Sequence, residues 1–144
     1  GDHLPYLGDN MLAYTELGLD VAAPEGEQLD PFSPYETPYI VWANDAAAEA
    51  LDWNRAVKAL DLPKSGKISA SFLGALVLEL TGRGEETPWF SFLNSLRREL
   101  PVVQREICLR FDGTVTKELN ETQDELIQKW RKWSYYKLCF EEIE

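Results

Sequence analysis

The sequence predicts an α/β protein in which several helices pack on a small sheet, with a C-terminal β-hairpin and a long final helix. Three observations lead there. Thr37-Pro38-Tyr39-Ile40-Val41-Trp42-Ala43 is an apolar, β-branched and aromatic run without polar alternation, the pattern of a strand buried on both faces. Asp112-Gly113 stands between Glu106–Phe111 and Thr114-Val115-Thr116, the pattern of a tight hairpin turn. Asn120 with Gln123 reads as a capping box ahead of a helix carrying Leu126, Trp130, Trp133 and Phe140.

The remaining elements follow in order. Asp9 or Asn10 caps a short helix through Met11, Leu12, Tyr14 and Leu17, and Gly18 stops it. A long loop from about Leu19 to Glu36 contains Pro24, Gly26, Pro31 and Pro34, and its length marks a functional or mobile surface loop. After the predicted strand, Asn44 or Asp45 caps an alanine-rich helix ending near Leu51. Asp52 to Lys67 is ambiguous: Arg55 to Leu60 fits a helical turn, but Pro63 and Ser65-Gly66 break it. Ser69 is placed to cap a helix to about Thr81, with Phe72, Leu73, Leu76, Val77 and Leu80 as a deeply buried face and Gly82 as its stop. Thr87-Pro88 combines a cap with a proline at the first helical position. Trp89, Phe90, Leu93, Leu96 and Leu100 form that helix's apolar face, and Pro101 closes it. Arg97 and Arg98 fall in its last turn, where the helix dipole favours cations. One buried strand does not make a stable sheet, so either the hairpin joins it or its neighbours lie upstream of Gly1.

Composition narrows the function. The chain has 144 residues, enough for one domain, 1–144, with its own core. Its net charge is −11, and its basic clusters, Arg97-Arg98 and Lys129 to Lys132, are flanked by acids, which argues against nucleic acid as a partner. No apolar run is long enough to span a membrane, and there is no signal peptide, so the segment reads as soluble. Cys108 and Cys139 are too few for a disulfide framework; buried thiols and a single bridge both remain open, as does the redox compartment. The chain begins without Met, as a piece of something longer would.

The candidate chemistry sits at the start. Gly1-Asp2-His3-Leu4-Pro5-Tyr6-Leu7-Gly8-Asp9-Asn10 holds the chain's single histidine beside an aspartate. A carboxylate and a neutral imidazole can share one Zn²⁺ or Mn²⁺ ion. Two ligands are fewer than the three protein ligands of a catalytic zinc, and spacing alone favours a solvated polar turn near a terminus. Asp9 reads as a helix cap or an outer-shell acid. Ser69 and Ser71 have no histidine partner for nucleophilic catalysis, and Arg83 between Gly82 and Gly84 reads as a glycine-rich helix exit or as facing a phosphate.

Gly-Asp-His-Leu-Pro-x-Leu-Gly-Asp-Asn at 1–10 resembles the metal-binding motif of bacterial sulfatase-family proteins of the lipoteichoic acid synthase type, within the alkaline phosphatase superfamily. Later segments resemble that family in the same order: Thr37 to Asn44, Ile68 to Leu80, Leu96 to Val103, Asp112-Gly113 and Trp133 to Leu138. The resemblance implies the C-terminal part of an alkaline-phosphatase or sulfatase-like fold. It implies that Asp2 and His3 bind a divalent metal, Mn²⁺ or Zn²⁺, weakly or not at all in this segment alone. The parent protein would be a metal-dependent phosphoglycerol transferase or sulfatase-like hydrolase acting on lipid-linked or small phosphate or sulfate esters, at the extracellular face of the bacterial membrane. Its threonine nucleophile, further acidic ligand and substrate-binding histidine would lie upstream, so these residues alone would not turn over substrate. The alternative is a non-catalytic α/β association module or truncated product, whose unpaired sheet edge invites a second copy.

If the loop from Leu19 to Glu36 shapes a lipid-linked substrate site, replacing Phe32 and Tyr35 in the full-length protein lowers turnover. Unchanged steady-state kinetics in those variants would mark the loop as structural.

Overall fold

The computed structural model describes residues 12–17, 30–32 and 35–140. Residues 1–41 and 42–144 form two compact units. In the first, α1 spans Leu12–Glu16, with Tyr14 buried and Leu17 exposed. Phe32 is buried, and its amide donates to Asp30 Oδ1 at 3.0 Å. The predicted caps Asp9 and Asn10, and Met11 and Gly18, lie outside the described residues.

The second unit is a mixed helical domain with a small three-stranded antiparallel sheet. Its helices are α2 (Asp45–Ala50), α3 (Trp53–Ala59), α4 (Leu73–Leu80), α5 (Pro88–Glu99) and α6 (Glu121–Phe140), with a 3₁₀ turn at Ala70–Phe72 leading into α4. Its strands are β1 (Val102–Val103), β2 (Cys108–Leu109) and β3 (Val115–Thr116).

Local chemistry sets most boundaries. Asn44 Oδ1 accepts from the Ala47 amide at 2.9 Å and starts α2. Asp52 precedes α3 at φ 47°, a left-handed conformation that aspartate tolerates better than most residues. Gly82, at φ 73°, ends α4. The Gly82 amide donates to Glu79 O at 3.0 Å and the Arg83 amide to Leu78 O at 2.8 Å, the paired bonds of a Schellman motif. Thr87 Oγ1 accepts from the Phe90 amide at 3.3 Å ahead of Pro88. Asn120 and Gln123 satisfy each other's amides at 2.9 and 3.3 Å at the start of α6.

The core joins α4, α5 and α6 to the sheet through Phe72, Ala75, Phe92, Leu93, Leu96, Leu100, Cys108 and Ile127. Trp89 stacks on Trp133 with centroids 5.3 Å apart, tying α5 to α6. Lys129 Nζ lies 5.1 Å from the Phe92 ring centroid. Val77, expected inside, is exposed, because α4 buries only the stripe through Phe72, Ala75, Leu76 and Leu80.

Between α4 and α5 lies a charged contact that the helix-dipole reading does not contain. The Arg97 side chain is 0% exposed. Its Nη2 donates to Glu79 Oε2 at 2.6 Å, and its Nη1 to the carbonyl of Asp61. Arg98 Nη2 donates to the other oxygen of the same carboxylate. Beside it, Asn94 Nδ2 donates to the Ala75 carbonyl at 3.3 Å. Gly84 completes the joint: a Cβ there would lie 3.2 Å from both Asn94 Nδ2 and Glu79 Cα.

The sheet has the order β1-β2-β3, with Val103 opposite Cys108 and Cys108 opposite Thr116. The Asp112-Gly113 turn forms as expected, with Gly113 at φ 92° and Asp112 Oδ1 accepting from the Thr114 amide at 2.8 Å. β1 is an addition to the predicted hairpin. Its outer edge is covered by Ser69, whose amide donates to Pro101 O at 2.8 Å and whose Oγ accepts from the Val103 amide at 2.9 Å. Ser69 thus fastens a strand rather than capping α4.

The predicted strand at Thr37–Ala43 is not formed. Residues 36–44 belong to no helix or strand, and Ile40 and Trp42 are 89% and 78% exposed. The run has the composition of a buried strand, but no described strand pairs with it. A strand needs neighbours for its backbone groups, whatever its side chains prefer.

Glu79→Ala, which leaves the Arg97 guanidinium buried without its counter-charge, is expected to destabilise the protein by about 3–5 kcal/mol. Asn120→Ala, which removes one cap bond, is expected to cost about 1 kcal/mol. Urea unfolding followed by circular dichroism measures both, and equal effects would contradict the distinction.

Candidate functional site

Asp2 and His3, the sequence-derived metal ligands, lie outside the described residues, as do Asp9 and the acidic end at Glu141, Glu142 and Glu144. Among the described residues no group of three His, Cys, Asp or Glu side chains is placed to hold a metal ion. No described helix is long and apolar enough to cross a membrane.

Arg83 does not stand ready for a phosphate. Its guanidinium grips Glu86 through two bonds, Nε to Oε1 at 2.6 Å and Nη2 to Oε2 at 2.7 Å. That partner holds the Glu86 carboxyl below its usual range and raises the guanidinium further. Glu79 is equally committed, with both carboxylate oxygens taken by arginines. Arg83 is thus paired with Glu86 at the surface, and both oxygens of Glu79 are occupied by arginines.

The described residues place a different set of groups around a cavity of about 430 Å³, within the range of small-molecule sites. One wall is the sheet and its connections, and the other is α6. Cys108 and Ile127, both buried, line it together with Trp130 and Leu119. Around these apolar groups stand Arg105 from the β1–β2 turn, Lys117 just after β3, and Arg131 on α6. Ile127, Trp130 and Arg131 share one helix face by their spacing of three and four. Glu106 is the one carboxylate in the lining. Arg105, Lys117 and Arg131 form no ion pair among the described residues.

Sequence reasoning placed Cys108 in a strand and Arg131 in a basic cluster flanked by acids, but did not bring them together. Their meeting depends on α6 packing across β2, a long-range contact that has no local signature. A basic residue in each of two connections and one on a helix, in a chain of net charge −11, was the available signal.

Cys108 is a free thiol, and the Cys139 side chain lies outside the described ones. Burial pushes the Cys108 thiol above its ordinary range, while the Gln104 backbone and the positive charge of Arg131 pull it partly back. A raised thiol is less ionised at any pH below its titration, so it reacts more slowly. In a Cys139→Ser background, alkylation of Cys108 by iodoacetamide is expected to lag behind a free cysteine at neutral pH. Arg131→Gln is expected to slow it further, and an unchanged rate would remove Arg131 from the thiol's surroundings.

Compared with protein-family models, with curated proteins and with solved structures, the chain matches none.

Proposed function

We propose that the chain is the C-terminal segment of a metal-dependent phosphoglycerol transferase or sulfatase-like hydrolase of the lipoteichoic acid synthase type. In this reading the fold is the C-terminal part of an alkaline-phosphatase-like domain. Asp2 and His3 contribute two ligands to a divalent ion, Mn²⁺ or Zn²⁺. Such an ion stabilises charge on the oxygens of a phosphoryl or sulfuryl group. The remaining ligands, the threonine nucleophile and the membrane anchor at the outer face of the cell membrane belong to the rest of the parent. Its substrate is a lipid-linked or small phosphate or sulfate ester.

The observation that carries the reading is the run Tyr39-Ile40-Val41-Trp42. Its apolar composition is that of a central sheet strand, and its Ile40 and Trp42 stand exposed. A strand seen apart from its sheet neighbours has that character. It follows the Gly-Asp-His motif, and the Leu96–Val103 segment follows it, in the family's order.

The same exposed run favours a second reading from another class, a non-catalytic module that associates with a second copy. Exposed apolar residues in an unpaired segment invite pairing between chains. Light scattering separates the two: Ile40→Asp with Trp42→Asp converts a dimer to a monomer only in the association reading.

For the enzyme reading, calorimetric titration of the 144-residue chain with Mn²⁺ and Zn²⁺ is expected to give weak binding that His3→Ala removes. Fixing the backbones of Asp2 and His3 on the ion opposes that binding by about 1–2 kcal/mol each. In the parent protein, His3→Ala is expected to lower ester turnover by more than the roughly 10–100-fold loss typical of an outer-shell partner. Tighter-than-micromolar binding that survives His3→Ala, or an active parent variant, overturns the assignment.

A further inference from the structure

We propose that the cavity between the β1-β2-β3 sheet and α6 binds a small amphipathic anion, a doubly charged head on a short aryl or alkyl body. The inference goes beyond the metal-dependent reading and uses none of its residues.

Charge is the first argument. Acidic residues outnumber basic ones 25 to 14 in this chain, yet Arg105, Lys117 and Arg131 face the cavity against Glu106 alone. Three cations against one carboxylate leave a surplus of two positive charges, which matches a dianion. The three come from separate places: a turn, a strand end and a helix. A solvated helix face would supply its cations from one element, so this convergence is a product of the tertiary fold. Three like charges with one carboxylate among them still repel one another, and an anion relieves that repulsion.

The apolar lining is the second argument. Cys108 and Ile127 are buried core residues, and Trp130 is partly buried against the same core, so the cavity reaches down to the core. Inorganic phosphate satisfies the cations and leaves the partly exposed surfaces of Leu119 and Trp130 in contact with water. An aryl or alkyl body covers them and gains the burial term as well. Two arginines add planar donor pairs suited to carboxylate or phosphate oxygens. Arg131 follows Trp130 in the lining and stands one helical turn beyond Ile127, which sets a cationic residue beside the apolar groups. Head and body therefore bind side by side in the same cavity.

Binding is tested by titrating the chain with phenyl phosphate, benzoate, inorganic phosphate and benzyl alcohol, followed by amide shifts in NMR spectra and by calorimetry. Phenyl phosphate is expected to bind saturably and more tightly than benzoate or inorganic phosphate, with benzyl alcohol weakest. The shifts are expected at Thr116, Leu119 and Ile127. The Arg105→Gln, Arg131→Gln double variant is expected to weaken phenyl phosphate at least about tenfold, and added salt to weaken it too. Both arginines are exposed, so the variant keeps its fold, which its spectrum verifies. Glu106→Gln is expected to tighten binding by removing the like charge. Inorganic phosphate binding as well as phenyl phosphate overturns the amphipathic site. So does an affinity indifferent to the double variant, or no saturation in the millimolar range.

Discussion

A buried guanidinium sets the terms on which the helices of the second unit pack. Arg97 is the largest fully buried side chain among the described residues, and it is charged. A buried cation is tolerable only when its donors and its charge are met. Glu79 on α4 and the Asp61 carbonyl after α3 meet two of its donors, so three segments must be in place together. A slip of α5 by one turn would leave the charge unmatched, which makes the pair a register device more than a source of stability. Gly84 and Asn94 follow from the same constraint, since the chain leaving α4 passes too close to Glu79 and Asn94 for a side chain.

Around that joint the apolar contacts take ordinary positions. Phe72, Leu96 and Leu100 are fully enclosed, and the Trp89–Trp133 stack extends the core along α6. The sheet is minor by comparison, with two residues in each strand. Strands so short hold their positions because Cys108 and Leu109 are buried and Ser69 closes the outer edge of β1. The cavity lies where α6 meets the sheet through Ile127 and Trp130, with Arg105, Lys117 and Arg131 in its lining.

What was legible in the sequence was local. Asn44, Thr87-Pro88, Asp112-Gly113, Asn120 with Gln123, and Gly82 each act within a few residues, and each acts as its chemistry predicts. What was not legible depended on partners far along the chain. Arg97 reads as a last-turn cation favoured by the helix dipole, because nothing near it announces Glu79, eighteen residues earlier. Ser69 looked like a helix cap, and its bond to Val103 spans thirty-four residues. The Thr37–Ala43 run was read from composition, which reports a preference for burial and not whether a sheet is there to provide it. The metal reading of Asp2 and His3 was of another kind, resting on an ordered resemblance, and those residues lie outside the described ones.

The Ser69 contact couples the small sheet to the helices. Strands of two residues contribute few cooperative hydrogen bonds, so the sheet belongs to the least stable part of the unit. Ser69 sits just ahead of the 3₁₀ turn into α4; its Oγ accepts from the Val103 amide and donates to the Val103 carbonyl, and its amide donates to Pro101 O. It therefore ties the sheet edge to α4, since the hydroxyl that receives the Val103 amide stands one residue before the turn that opens the helix. Because Cys108 and Ile127 belong to the same core cluster, the wall of the cavity is part of the core, and parting the sheet from α6 disturbs both.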